Sequence, residues 1–234
     1  MSEALDKVRG VRELPLFPLP LVLFPGAPLP LHVFEERYRR LLEDVRVTNN
    51  LFGLSYFDPA AAGAGERPAV GHIGCATEVV EAQALPDGRS NILTIGVVRY
   101  RVDGYVEGGE PYLVARVEFF EDEGGDPEVL RKRAAEVAEI FTRIVRAMRT
   151  INDDRGEPPE LPVEEPERLS FLVAAVVEME ADAKQQLLEL RSTAERLRRV
   201  YTLLAQAVAS YEERARTHEL ARGNGHTGKR IDLE

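Results

Sequence analysis

The sequence predicts an α+β protein: an amino-terminal bent β-sheet, closing toward a pseudo-barrel and carrying one short helix, followed by a carboxy-terminal helical bundle. Three observations predict it. Residues 14–38, LPLFPLPLVLFPGAPLPLHVFEERY, hold six prolines (Pro15, Pro18, Pro20, Pro25, Pro28 and Pro30) within a nearly unbroken apolar run. Each proline lacks the N–H that a helix interior needs and pushes its predecessor toward extended geometry, so this ribbon runs extended. From about residue 51 to 120, short β-prone runs alternate with glycine-containing turns. From Asp126 onward, apolar residues recur every three or four positions, which is helical spacing.

The elements follow in order. Gly26, between Pro25 and Ala27, is the residue best able to reverse the ribbon with positive φ, which gives two extended arms. At Phe34 the pattern changes, and Tyr38, Leu41, Leu42 and Val45 mark a short amphipathic helix. LFGLSYF (51–57) returns to strand character, and 58–68 is read as a flexible loop. A strand over about 71–84 pairs antiparallel with one over 91–106 through the turn LPDGR, with Gly71 and Gly74 as bulge or close-approach points. After Gly96, Val98, Tyr100 and Val102 alternate with Arg99, Arg101 and Asp103, which reads as one buried and one wet face. A reversal at Gly108-Gly109 leads to a last strand from Tyr112 to Phe120.

Asp126-Pro127 resembles an N-cap followed by proline at the first helical position. The helix it opens has Leu130, Ala134, Val137, Phe141, Ile144 and Met148 on one face. Pro166 opens a helix whose FLVAAVV core is apolar on all sides, which places it in the centre of the bundle. Ser192 and Glu195 form a capping box for a final helix with Leu197, Val200, Leu204, Ala207 or Val208, and Tyr211 on one side. The domains expected are 1–122, a β-rich lobe, 126–220, a helical lobe, and 221–234, a disordered tail.

Composition narrows the function. The net charge of −10 is spread over both halves, so binding of nucleic acid, which needs a basic field, is disfavoured. A single cysteine and a start without an apolar signal core point to the cytoplasm, and no apolar run reaches the ~20 residues that span a bilayer. The tail segment GNGHTGKR fits phosphate-loop patterns on paper, but it lacks a flanking strand and helix, and Lys229 is followed by Arg230 rather than Ser or Thr. His218-Glu219 begins a zinc motif whose second histidine position is Arg222. No metal or cofactor is expected. Cys75 beside Gly74 and His72 reads as a small buried residue rather than a nucleophile, and His32, Glu35 and Arg37 as residues that cap and pair locally. The ribbon's bulky residues at successive positions exceed what one face can bury, which predicts an exposed apolar patch with Phe17, Leu21 and Tyr56 as its peptide-binding residues.

Several segments carry a family resemblance. The ribbon with its helix, GHIGCATEV (71–79), LPDGRSNILTIGVVRYRV (85–102), PYLVARVEFFEDE (111–123) and EMEADAKQQLLELRSTAERLRRVYTLL (178–204) follow one another as in the amino-terminal, substrate-binding domain of Lon proteases. The chain resembles the stand-alone form of that domain over about residues 12–210. The resemblance implies a PUA-like barrel, no enzymatic activity, since the ATPase and the Ser-Lys protease of Lon lie on other domains, and a protein-binding role. The partners it implies are hydrophobic or unfolded protein segments, held by an adaptor or chaperone-like factor in protein quality control that hands them to a protease or chaperone. The alternative is a PUA-like nucleic-acid-binding module.

Overall fold

The structure, a computed structural model, describes residues 2–57 and 67–224. The loop expected over 58–68 therefore lies outside the described residues except for Arg67 and Pro68, as does the expected tail from 225 onward. By contacts the chain divides into two units. One comprises Met1–Gly124 with Phe171–Ser192, the other Gly125–Ser170 with Thr193–Glu234.

In the first unit a short helix α1 (Glu3–Lys7) precedes the two ribbon arms, β1 (Glu13–Leu19) and β2 (Pro28–Val33), and then α2 (Glu36–Arg46). Gly26 sits between the arms at φ 78°, the left-handed conformation expected of the reversal. β3 (Leu51–Tyr56), β4 (Ile73–Ala84), β5 (Ser90–Val106) and β6 (Leu113–Phe120) complete a six-stranded mixed sheet in the order β2-β5-β4-β3-β1-β6. β1 pairs parallel with β3, and the other pairings are antiparallel. Because β5 also pairs with β6, the strands β5, β4, β3, β1 and β6 close into a ring. The 17-residue β5 makes this possible: its first half carries β2, and its second half carries β6. Register shifts between Ala76 and Thr77, Val79 and Glu81, and Val102 and Gly104 mark the bulges that bend it.

Leu14, Leu16, Ala76, Val98, Tyr100, Val102 and Ala115 fill the ring, and the Tyr100 hydroxyl is hydrogen-bonded to Ser55 Oγ at 2.7 Å. A second cluster under α2 joins Tyr38, Leu41, Leu42 and Val45 to Phe17, Val33, Phe52, Val79 and Ile92. The ribbon crosses β5 at Gly96, where backbone bonds run from Gly26 N to Gly96 O (2.8 Å) and from Gly96 N to Ala27 O (3.0 Å). A Cβ at position 96 would stand 2.3 Å from the Phe24 carbonyl oxygen, so only glycine fits this crossing.

Two expectations are corrected here. Arg99, placed on the wet face by simple alternation, is 1% exposed. Its guanidinium pairs with Asp122, donates to the carbonyls of Leu188 (3.1 Å) and Leu190 (2.6 Å), and lies over the rings of Phe120 and Phe171. The FLVAAVV segment, in α4 (Pro166–Val176), does not form the centre of a helical bundle. Phe171 packs on Phe24 with ring centroids 6.0 Å apart, Leu172 faces Gly26, and Val176 is 63% exposed. All-round apolarity signals burial without naming the partner, and here the partner is the ribbon. α5 (Ala181–Glu189) also belongs with the sheet: Gln185 donates to the Ile73 carbonyl at 2.9 Å. Residues 171–192 thus group with the β unit, not with the helices between which they lie in sequence.

In the second unit, Asp126 caps α3 (Pro127–Ile151) by accepting from the N–H groups of Glu128 and Val129, with Pro127 in the first turn. α6 (Thr193–Asn224) runs alongside α3 in the same direction, as the pairs Arg143–Glu212 (2.9 Å) and Asp153–His218 (3.1 Å) show. The helix extends through Asn224, past the start of the tail expected at 221. Of the face read from sequence, Leu197, Val200, Leu204 and Val208 are buried, and Ala207 and Tyr211 are half-buried. On α3 the face differs. Ala134, Val137, Ala138, Ile140, Ile144 and Ala147 are buried, whereas Leu130 and Phe141 are half-buried and Met148 is 41% exposed. The alanines let the two helices approach, which rotates the contact away from the bulkier stripe. Arg196, fully buried, donates to Ser170 Oγ at 2.7 Å. Among the described residues no helix is long and apolar enough to cross a membrane.

Candidate functional site

β1 and β6 part after the pair Leu16–Leu113, while β1 continues beside β3 to Leu19–Tyr56. The parting opens a cleft of about 200 Å³ lined by Pro18, Arg37, Tyr38, Phe57 and residues 110–113. Four separate elements supply it: the end of β1, the first turn of α2, the exit of β3 and the connection into β6. Pro18 has no N–H, so this stretch of β1 offers no donor there to a further strand.

Each wall is held from behind. The Tyr38 ring stacks on Phe17 at 3.8 Å, with the Arg37 guanidinium 4.5 Å from its centre. Burial raises the Tyr38 phenol pKa, so it stays neutral. Arg37 is steadied by Glu35 at 2.8 Å. The Tyr112 hydroxyl donates to Asp44 Oδ2 at 2.8 Å, and burial and then that carboxylate raise its pKa as well. Phe57 is anchored by its backbone N–H on the Leu19 carbonyl at 2.9 Å, which leaves its half-buried side chain facing the cleft. A second recess of about 250 Å³ shares Glu110, Tyr112 and Leu113 and continues to Tyr105, over which Arg67 lies at 3.9 Å. The result is a row of fixed aromatic and proline surfaces with charged groups at its margins. Such a surface takes up apolar side chains and orients them by a few polar contacts.

The three residues chosen from sequence do not converge there. Phe17 is 6% exposed, and its role is to support Tyr38 from the core rather than to meet a partner. Tyr56 is half-buried and donates to Asp182 Oδ1 at 3.0 Å, so it ties β3 to α5. Leu21 is half-buried beyond the end of β1. Their sequence neighbours Pro18 and Phe57 line the cleft instead. Tyr38 and Arg37 were legible only as a helix position and a local pair, and Tyr112 only as a strand start. The signal that would have found them is their position at element ends beside prolines.

Other sequence candidates resolve individually. Cys75 is fully buried, and burial pushes its thiol pKa up to about 12, so it remains an unreactive thiol. His32 meets the Asn91 side chain at 2.7 Å rather than a backbone group, and Glu35 occupies the N-cap of α2 without a side-chain capping bond. His218 pairs with Asp153. Lys229 and the phosphate-loop-like segment from 225 lie outside the described residues. Among the described residues no group of three or more His, Cys, Asp or Glu is placed to hold a metal ion.

Comparison with known proteins adds a family to this geometry. The Lon protease of Azospirillum brasilense is 28% identical over 212 residues, which cover 86% of this chain and 25% of that protein. The Lon protease of Brevibacillus choshinensis is 26% identical, covering 83% and 25%. The chain thus spans about a quarter of the length of these relatives. Among solved structures, a Lon N-terminal domain protein from Xanthomonas campestris shares the fold with a TM-score of 0.58 at 22% identity, over 82% of this chain and 98% of that one. The N-terminal domain of a Mycobacterium avium complex Lon protease aligns with a TM-score of 0.62 at 14% identity, over 83% and 98%. The family described as the ATP-dependent protease La (LON) substrate-binding domain matches residues 13–206. With its closed mixed sheet and its helices matched over that span, the chain belongs to the Lon substrate-binding domain family.

Proposed function

We propose that this chain is a non-enzymatic protein-binding module that holds hydrophobic or unfolded segments in the aromatic cleft between β1, α2 and the β5–β6 connection. The observation that carries the reading is the set of preorganised aromatic and proline surfaces, Pro18, Tyr38, Phe57 and Tyr112, around an opening of side-chain size. Rigid aromatic walls bind apolar side chains without much ordering cost, and they tolerate many sequences because they read shape rather than a hydrogen-bond pattern. Main-chain addition at β2, the outermost strand, contributes little: Pro28 and Pro30 remove two donors from its free edge. Recognition therefore runs through side chains. A site of this breadth has micromolar affinity, about 8 kcal/mol. In the cell the module serves as an adaptor or chaperone-like factor in protein quality control, passing clients to a protease or chaperone. The nucleic-acid alternative has no support in a chain of net charge −10 whose cleft margin carries Glu107 and Glu110.

Replacing Phe57 by Ser removes about 1.5–3 kcal/mol of apolar contact, so binding of a fluorescent, permanently unfolded client falls roughly ten- to hundredfold. The backbone bond to Leu19 survives the change, and the melting temperature stays near that of the parent. Unchanged affinity in the folded variant rejects the cleft as the client site.

A further inference from the structure

The recess of about 250 Å³ beside the aromatic cleft already holds a cation of the chain's own. The Arg67 guanidinium lies 3.9 Å from the centre of the Tyr105 ring and 3.8 Å from Glu107 Oε1. The ring is fixed for this contact: its hydroxyl donates to the Pro68 carbonyl at 2.5 Å, and its half-buried face packs on the sheet core. The guanidinium is held less firmly. The Arg67 side chain is 43% exposed and that of Glu107 91%, and an ion pair so open to water contributes little. Glu110, a second carboxylate on the recess, is exposed and makes no ion pair among the described residues. The other cation lining the two openings, Arg37, is held by Glu35 at 2.8 Å.

We propose that this recess is a specificity subsite that takes a client's Lys or Arg side chain in place of Arg67, so that the module prefers apolar segments flanked by basic residues. The inference rests on the aromatic cleft being the client site. The two openings share Glu110, Tyr112 and Leu113, so an apolar side chain in the first and a basic one in the second belong to a single client segment. A cation entering the recess meets the Tyr105 ring, Glu107 and Glu110 together, the combination that Arg67 now uses in part. The same carboxylates repel a client's Asp or Glu. Clients of this kind are common, because natural sequences flank their apolar strands with charged residues, and unfolding exposes both together.

The test uses the full chain and two labelled synthetic peptides with one apolar core, KKAFPLAKK and QQAFPLAQQ. Fluorescence anisotropy at physiological ionic strength is expected to show the Lys-flanked peptide bound at least fivefold tighter than the Gln-flanked one. Glu107→Gln with Glu110→Gln brings that ratio close to one. Glu136→Gln with Glu160→Gln removes the same charge from exposed positions of the second unit and leaves the ratio within twofold of the parent's. Tyr105→Leu lowers the ratio at least threefold, whereas Tyr105→Phe, which keeps the ring, retains it. Arg67→Ala tightens the Lys-flanked peptide at least twofold, because the competing guanidinium is gone. The arms at positions 67, 107 and 110 change exposed side chains and decide the matter should Tyr105→Leu fail to fold. A parent ratio near one, a ratio lowered equally by the two glutamate pairs, or an Arg67→Ala chain that fails to bind the Lys-flanked peptide more tightly overturns the proposal. Phe57→Ser separates it from the reading beneath it: if that change weakens the Gln-flanked peptide while the parent ratio is near one, the subsite alone falls. Binding of the Gln-flanked peptide indifferent to Phe57→Ser removes the cleft and the subsite together.

Discussion

Replacing Arg99 by Met removes the guanidinium that joins β5 to the segment following α5. Arg99 is 1% exposed and the Asp122 side chain 3%. The methionine covers Phe120 and Phe171 about as well as the arginine stem does, so the loss is chiefly electrostatic and hydrogen-bonding. It takes the Arg99 cation from the buried Asp122 carboxylate and that donor from the Leu188 and Leu190 carbonyls. Breaking a buried pair from one side costs about 3–5 kcal/mol. For a chain of this size that lowers the melting temperature by about 6–20 °C. Replacing both partners, Arg99→Met with Asp122→Leu, also removes the buried carboxylate and is expected to recover part of the loss, since an apolar pair of similar volume is often as stable as an ion pair. Urea denaturation of the parent, the two single variants and the double variant gives the coupling directly. A loss below about 1 kcal/mol for Arg99→Met would refute the view that Arg99, through the Leu188 and Leu190 carbonyls, fastens residues 171–192 to the sheet.

Two further outcomes follow from the packing. Gly96→Ala is expected to cost about 1–3 kcal/mol in urea denaturation, because the new Cβ meets the Phe24 backbone, which cannot swing aside; Gly108→Ala, with open space around it, is the control, and equal effects would contradict the crossing geometry. Burial holds the His72 pKa below its ordinary 6.5, so the unfolded chain takes up that proton first. The stability contributed by neutral His72 is then complete above about pH 6.5 and is lost as pH falls from there through the folded value. Denaturation midpoints measured between pH 7.5 and 5.5 should fall less steeply for His72→Gln than for the parent.

What the sequence made legible was local. Proline placement, the 71–84 and 91–106 hairpin, the Asp126 cap and the apolar face of α6 each arise from neighbouring residues and lie where the pattern put them. Arg99 escaped because alternation assigns a face but not a cover: α5 and Asp122 close over a position that the strand pattern leaves wet. α4 escaped for the converse reason, since its apolar surface fits a sheet as well as a bundle. The cleft was illegible because Pro18, Arg37, Phe57 and Tyr112 meet only through the parallel β1–β3 pair and the closure of β5 on β6. No periodicity announces either pairing. Phe17 was chosen for its bulk, and its bulk is what the core under α2 uses.

Amide chemical-shift mapping of the isotope-labelled chain during titration with an unfolded client locates the binding surface residue by residue. The largest shifts are expected on Arg37, Tyr38, Phe57, Tyr112 and Leu113, with Leu29 and Leu31 on the proline-blunted β2 edge nearly unmoved. Shifts concentrated along β2, with the cleft residues silent, would contradict the cleft as the client site.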